Sequence, residues 1–314
     1  MYIEKANLVL GETKESGKVA ADRGEIPEDI REREGFESVA VSRHSGIDLA
    51  LKSYCDEPGK LDWLLYSQIL QPRTRVWSPA HYLAYETGNE SALTFALNQV
   101  CNGGATGLQL AKQILTSSPD KTVGIFTGDN FSPPGFDRWS SDSGIAYGDA
   151  GTFIKASMKS QSSMRVAAIT HVSDARFERM HRDEGDDSRL AVDIRSRKRK
   201  FTKRTTLSMP ETFLANVTNA ISSALSETGW ESGVRVYLPR LGLSVLNRCY
   251  IPAVERCVSN SELMNPGMFT GHLGAGDCAA SIADELDSAQ PAERVIILSA
   301  GAGFTWSCIA LERT

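Results

Sequence analysis

CNGGATGLQLAKQIL occupies residues 101–115 and HLGAGDCAASIADEL residues 272–286. Each opens on a polar, glycine-rich turn and continues with apolar residues three and four apart. Each then leads into a short apolar run, KTVGIFTGD from 121 and ERVIILSAG from 293. The spacing predicts helices at 104–115 and 277–286, and a third over 210–226. The segments 123–127, 165–170, 234–238 and 295–299 are short, β-branched and bounded by turn residues, which predicts buried strands. Strands alternating with helices make an α/β fold with at least one largely covered sheet. The two apolar runs lie 172 residues apart and the two helical stretches fall within one residue of that offset. This internal echo divides the chain into two similar halves, 1–160 and 161–314.

The 314 residues are 41% hydrophobic and 23% charged, an ordinary globular composition that excludes disorder and fibre. A chain of this length buries roughly 75% of its unfolded surface and needs no staple. Thirty-four basic against 39 acidic residues leave a net charge of -5, so nothing draws the whole chain to nucleic acid or an anionic membrane. No run approaches the roughly 20 apolar residues that span a bilayer. The opening MYIEKANLVLGE lacks the basic and apolar regions of a signal peptide, so a cytoplasmic location is expected. Six scattered cysteines, Cys55, Cys101, Cys249, Cys257, Cys278 and Cys308, form no CxxC pair, which predicts reduced thiols and no structural metal. No Walker A sequence occurs, and no GxGxxG opens a helix after a strand, so nucleotide binding lacks support.

The pattern breaks at 176–204, RFERMHRDEGDDSRLAVDIRSRKRKFTKR, a charged insertion within the second half. Seven of its last ten residues are basic: Arg195, Arg197, Lys198, Arg199, Lys200, Lys203 and Arg204. Two readings stand, a solvated loop or exposed helix face and a docking patch for an acidic partner. Nucleic acid is disfavoured because Phe201 is the only aromatic residue within the basic run. His181 with Asp183, Glu184, Asp186 and Asp187 lacks the spacing of a calcium loop and reads as solvated loop. His44, His81 and His171 have no partner pattern and read as structural.

Cys101 lies just ahead of Gly103, Gly104 and a predicted helix. A thiol at a helix N-terminus has its thiolate stabilised by free N–H groups and the dipole, the arrangement of a nucleophilic cysteine. A small buried core residue is the alternative.

Three further segments carry a wider pattern. DRWSSDSGIAYGDAGTFIKAS runs from Asp137, SAGAGFTWSCIALE from Ser299, and EREGFESVAV from Glu32. With the Cys101 turn, they resemble the β-ketoacyl-ACP synthase III branch of the thiolase superfamily, over roughly residues 30–314. The match at Glu32 is the weakest. The resemblance implies a thiolase fold, a duplicated five-layered α/β/α/β/α arrangement, which accounts for the echo. It also implies a homodimer and an oxyanion hole built from the N–H groups of Cys101 and Gly303. Gly301 and Gly303 are equally explained by a hairpin that needs positive φ or close packing.

The departures decide the chemistry. Condensing members place the histidine of Pro-His-Gln-Ala-Asn where VRVYLPRLGLSV has Arg240, and an asparagine where this chain has His272. Both decarboxylation side chains are changed. Arg240 is a possible site residue that can donate to an enolate but cannot exchange a proton near neutral pH. Cys101, His272 and Asp277 form the constellation of nucleophilic acyl transfer, with histidine as base and aspartate as its orienter. His272 in a tight turn and Asp277 as a helix N-cap are the bland alternatives.

The expected activity is an acyltransferase that binds no cofactor. Its donor is a phosphopantetheine thioester, on acyl carrier protein or CoA, and its acceptor a hydroxyl or amine of a small molecule. The resemblance sets this in secondary metabolism, such as antibiotic biosynthesis. The rivals are a decarboxylating condensing enzyme and a non-catalytic partner subunit that binds a carrier protein.

Overall fold

The structure is a computed structural model that describes residues 1–54, 60–70, 76–159, 164–182, 193–302 and 304–314. The strands are β1 Tyr2–Leu10, β2 Thr13–Ser16, β3 Ser38–Val41, β4 Trp63–Ser67, β5 Leu93–Leu97, β6 Thr122–Asp129, β7 Ala150–Ser157, β8 Met164–Ser173, β9 Arg235–Tyr237, β10 Glu262–Met264, β11 Arg294–Gly301 and β12 Thr305–Arg313. The helices that build the layers are α1 Gly46–Ser53, α2 Pro79–Glu86, α3 Gly103–Ser117, α4 Ile194–Arg204, α5 Met209–Thr228, α6 Ile251–Cys257 and α7 Asp277–Leu286.

Strands β2 and β3 form a separate two-stranded antiparallel sheet, and the other ten join in the order β10-β9-β11-β12-β8-β1-β7-β6-β4-β5. At the middle, β1 pairs with β8 through Tyr2 with Arg165 and Ile3 with Met164. On either side of this seam the order is the same. β1-β7-β6-β4-β5 mirrors β8-β12-β11-β9-β10, each with antiparallel pairing near the seam and parallel pairing outside it. Position 160/161, the expected boundary, lies outside the described residues.

Side chains alternate across each strand, and the alternation makes the layers. Val123 and Ile125 of β6 and Val295 and Ile297 of β11 face a common core with Ala105, Leu108 and Ala111 of α3 and Ala279, Ile282 and Ala283 of α7. The intervening Phe126 of β6 packs outward with Ala50, Ala80 and Leu83 of α1 and α2. Ile296 and Leu298 of β11 pack outward with Val217, Ile221 and Val254 of α5 and α6. The order is helices, sheet, paired central helices, sheet, helices. Each fully buried Leu or Ile of the middle layer contributes roughly 2 kcal/mol by leaving water. The central helices approach closely because α3 begins with small residues. A Cβ on Gly104 would lie 2.9 Å from both the Ala275 carbonyl and Cys278 Sγ.

The predicted helices at 104–115, 210–226 and 277–286 correspond to α3, α5 and α7. The segment 234–238 is cut to three strand residues. Leu238 still donates to Met264 O at 2.9 Å, but Pro239 has no N–H to continue the ladder.

Within 176–204, Ala175–Met180 forms a 3₁₀ helix and 194–204 forms α4, a helix with no fully buried residue. Asp183, Glu184, Asp186 and Asp187 lie outside the described residues. Cys101, Cys249, Cys257, Cys278 and Cys308 are free thiols, and Cys55 lies outside the described residues. Among the described residues no helix is long and apolar enough to cross a membrane.

Candidate active site

Cys101 sits in a 3₁₀ turn, Val100–Asn102, that runs directly into α3, and it is 8% exposed. Val100 before it has φ +49°, a left-handed conformation that costs a β-branched residue energy and persists only where the surroundings impose it. The fully buried Asn102 supplies part of that constraint. Its Nδ2 donates to Ser307 Oγ at 2.7 Å, and its Oδ1 accepts from Ser299 Oγ at 2.8 Å. The nucleophile turn is thereby tied to both strands of the β11–β12 hairpin. In the turn of that hairpin Phe304 is also left-handed, at φ +50°. Gly303, expected to furnish the second oxyanion donor, lies outside the described residues.

His272 follows Gly271, whose φ of +72° only glycine adopts without strain. Its N–H bonds Ala146 O at 2.7 Å and its carbonyl accepts from Gly148 N at 2.9 Å, which fixes the backbone against the 137–149 segment. The imidazole is 1% exposed, with Nδ1 2.6 Å from Asp277 Oδ2. Asp277 Oδ1 accepts from Leu273 N at 2.7 Å. Asp277 is the first residue of α7, and its carboxylate makes no cap bond to that helix; it holds the histidine. Nε2 is buried without a well-aligned hydrogen-bond partner. Burial favours the neutral ring, but the charges of Asp277 and then Cys101 outweigh it and hold the histidine well above its ordinary pKa.

Arg240 is placed otherwise than its position in the sequence suggests. Its guanidinium donates to Asp277 O at 2.7 Å, Ser281 Oγ at 2.9 Å, Asp284 Oδ2 at 2.7 Å and Thr270 Oγ1 at 3.2 Å. It lies behind the His272–Asp277 pair, is 1% exposed, and is not among the residues that line the cavity. Its backbone N–H reaches Asp277 Oδ2 at 3.3 Å, so it positions the aspartate.

Cys101 and His272 open onto one cavity of about 340 Å³. Its walls include Leu70, Phe131, Phe136, Tyr250, Phe304 and Trp306. Asp142 and Tyr147, from the segment that begins at Asp137, and His181 and Lys198, from the charged insertion, also line it. His181 was expected in solvated loop. It packs against Phe304 instead, and burial, aided by Lys198 and Arg197, pushes its pKa down to about 4. Of the seven basic docking candidates, Arg199, Lys200, Lys203 and Arg204 are exposed, while Arg195, Arg197 and Lys198 are half-buried. Lys198 turns inward to Asp142 Oδ1 at 2.5 Å, and Arg197 donates to His181 O at 3.0 Å. His81 bonds Ser78 Oγ, and His171 bonds Ser307 Oγ in the Asn102 network.

Beneath the site, Asp129 is buried at the end of β6. Its carboxylate accepts from Ala275 N at 2.9 Å, Ile69 N at 2.7 Å and Leu70 N at 3.2 Å, which joins the turn before α7 to the cavity wall.

No protein-family model and no curated protein matches the sequence. Solved structures do. ChlB3, an acyltransferase, superposes with a TM-score of 0.88 at 23% identity, covering 99% of this chain and 97% of that one. The 3-oxoacyl-(acyl carrier protein) synthase III, FabH, from Pseudomonas aeruginosa PAO1 gives 0.75 at 17% identity, covering 99% and 97%. AbyA1, a tetronic acid condensing enzyme, gives 0.72 at 15% identity, covering 99% and 100%. The chain therefore has the thiolase fold of synthase III-like enzymes, one that carries both acyl transfer and condensation.

Proposed function

We propose that the protein is an acyltransferase that takes an acyl group from a carrier-protein or CoA thioester onto Cys101 and passes it to a hydroxyl or amine of a small molecule. The observation that carries this reading is the 2.6 Å contact of His272 Nδ1 with Asp277, on a ring whose other face meets the nucleophile's cavity. The Cys101 thiolate attacks the thioester carbonyl, the oxyanion is received by the N–H groups of Cys101 and Gly303, and the departing pantetheine thiolate takes its proton from the His272 imidazolium. The neutral ring, oriented through Nδ1–H to Asp277, then accepts the acceptor's proton at Nε2 as the oxygen or nitrogen attacks the acyl-enzyme. Cys101 leaves as thiolate and the imidazolium is restored.

Condensation is the weaker reading, because the guanidinium of Arg240 is spent on α7 and Thr270. A non-catalytic carrier-binding role is weaker still, because a strained cysteine turn beside a paired histidine has no use in a scaffold. The setting in secondary metabolism is part of the proposal. So is a homodimer, supported by Leu93 and Phe95, 51% and 45% exposed on the edge strand β5. The test is an intact mass after incubation with acyl carrier protein or acyl-CoA thioesters. A single acyl adduct on Cys101 that an added alcohol or amine discharges supports the reading. Carbon dioxide release from a malonyl donor would replace it with condensation.

A further inference from the structure

Several polar groups on the wall of the cavity shared by Cys101 and His272 are already engaged. Tyr147 and Lys198 are bonded to Asp142, at 3.2 and 2.5 Å, and His272 to Asp277 at 2.6 Å. Tyr250 is different. It ends a π turn, Leu246–Tyr250, set between the short helix Leu243–Val245 and α6. Such turns are rare within helices and recur where a side chain must be placed for function. Tyr250 is 3% exposed and lines the cavity. Among the described residues nothing accepts its proton, and the oxygen is not sealed within the packing, so the hydroxyl opens into the cavity.

The chemistry of this hydroxyl runs one way. The indole N–H of Trp306, on the same wall, is directed at the phenol oxygen and takes up an acceptor position there. Burial, followed by the charges of Cys249, Cys101 and Asp277, holds the phenol well above its ordinary pKa, so the proton stays on the oxygen. What remains to be offered is a single O–H donor. A ligand made of methylene groups would shut that donor away from water without a partner, whereas a ligand with an oxygen beside it would not. A site built this way discriminates against the ligand that leaves its polar group unpaired. Elsewhere the wall is largely apolar, with Leu70, Phe131, Phe136 and Phe304, so an oxygen placed there would lose its water for nothing in return.

We propose that Tyr250 is a specificity-determining residue, which selects an acyl group carrying an ether, hydroxyl or keto oxygen remote from the thioester. This rests on the acyltransferase reading. The group that shares the cavity with Cys101 throughout that reaction is the acyl chain, so the oxygen is assigned to it.

The test uses pantetheine amides, which occupy the cavity without acylating it, and reads protection of Cys101 from iodoacetamide by intact mass. Methoxyacetyl, 3-methoxypropanoyl and 4-methoxybutanoyl amides are each compared with the chain in which a methylene replaces the ether oxygen: butanoyl, pentanoyl and hexanoyl. In at least one pair the ether should protect at a concentration about threefold lower or less. A wall without a donor gives the opposite order, because the ether is the better hydrated of the two. In Tyr250→Phe, checked by circular dichroism, the same pair should lose its ether preference. A native protein in which no pair reaches threefold overturns the proposal whether or not the variant folds, and so does a preference that survives in folded Tyr250→Phe. The acyltransferase reading stands or falls separately, on whether thioesters acylate Cys101.

Discussion

Arg240 and Asp277 are joined twice, by the guanidinium on the Asp277 carbonyl at 2.7 Å and by the Arg240 N–H on the Asp277 carboxylate at 3.3 Å. The arginine grips the residue that grips the histidine. Arg240→Met should therefore lower stability by on the order of 2–3 kcal/mol, because Asp284 and the Asp277 carbonyl lose a charged donor. It should also slow discharge of the acyl-enzyme more than its formation. Single-turnover rates and a melting curve would check both; equal slowing of the two steps would argue against a positioning role.

Cys101→Ala should abolish the acyl adduct and leave folding nearly intact, at a cost of about 1 kcal/mol for one small buried group. Cys278 offers no substitute nucleophile, since burial and then Asp277 push its pKa up to about 12. An adduct that persists in Cys101→Ala would end the covalent mechanism.

Asp277→Asn should be more harmful than loss of a charge alone implies. An asparagine that turns its amide to Nδ1 forces the proton onto Nε2, where the base is needed. Transfer from preformed acyl-enzyme should fall roughly 10²- to 10⁴-fold, as it should in His272→Ala. Transfer at the native rate in either variant would remove the pair from the mechanism.

Asp129 predicts a pH effect on stability. Burial, against three N–H bonds, pushes its pKa up to about 6, well above the ordinary range of an aspartate. The folded state keeps the proton longer, so between pH 4 and 6 this group makes the protein more stable as pH falls. Its ionisation opposes folding fully above about pH 6, by on the order of 2–3 kcal/mol. Asp129→Asn loses the bond from Ala275, so its absolute stability is not the test. The test is the difference between the two proteins' pH profiles in urea, which should slope across pH 4–6; a flat difference would contradict the assignment.

Replacing the exposed Arg199, Lys200 and Lys203 by Ser should slow acylation from an acidic carrier protein while sparing a short pantetheine thioester. The difference should shrink as salt is raised, with a Debye length of about 8 Å at physiological ionic strength. Equal losses with both donors would assign α4 to the cavity wall alone.

The layers were legible because small residues mark where helices pack closely and alternating apolar residues mark the strands between them. Cys101, His272 and Asp277 were legible as candidates because they stand at glycine-rich turns that open helices, and because His272 departs from the resembled pattern with an acid five residues on. What escaped was orientation and distance. Lys198 is one cation among seven between positions 195 and 204, and only the folded chain turns it inward to Asp142. Arg240 occupies a site position, yet its side chain follows the acceptors of α7 rather than the cavity. His181 looked solvated because its neighbours in sequence are charged, whereas its neighbour in space is Phe304.

The middle layer has a practical consequence for anyone wishing to cut the molecule. The apolar side of α3 is shared between β4 and β6 of its own half and residues 279–283 of α7, and α7 is supplied from beyond position 276. A fragment ending near 159 would carry the nucleophile and keep β4 and β6 against α3 but lose the α7 side of that core, and its product in a cell would be insoluble protein. Split reporters and domain-by-domain expression should therefore fail here, whereas co-expression of both pieces could succeed, each serving as the other's solubilising partner.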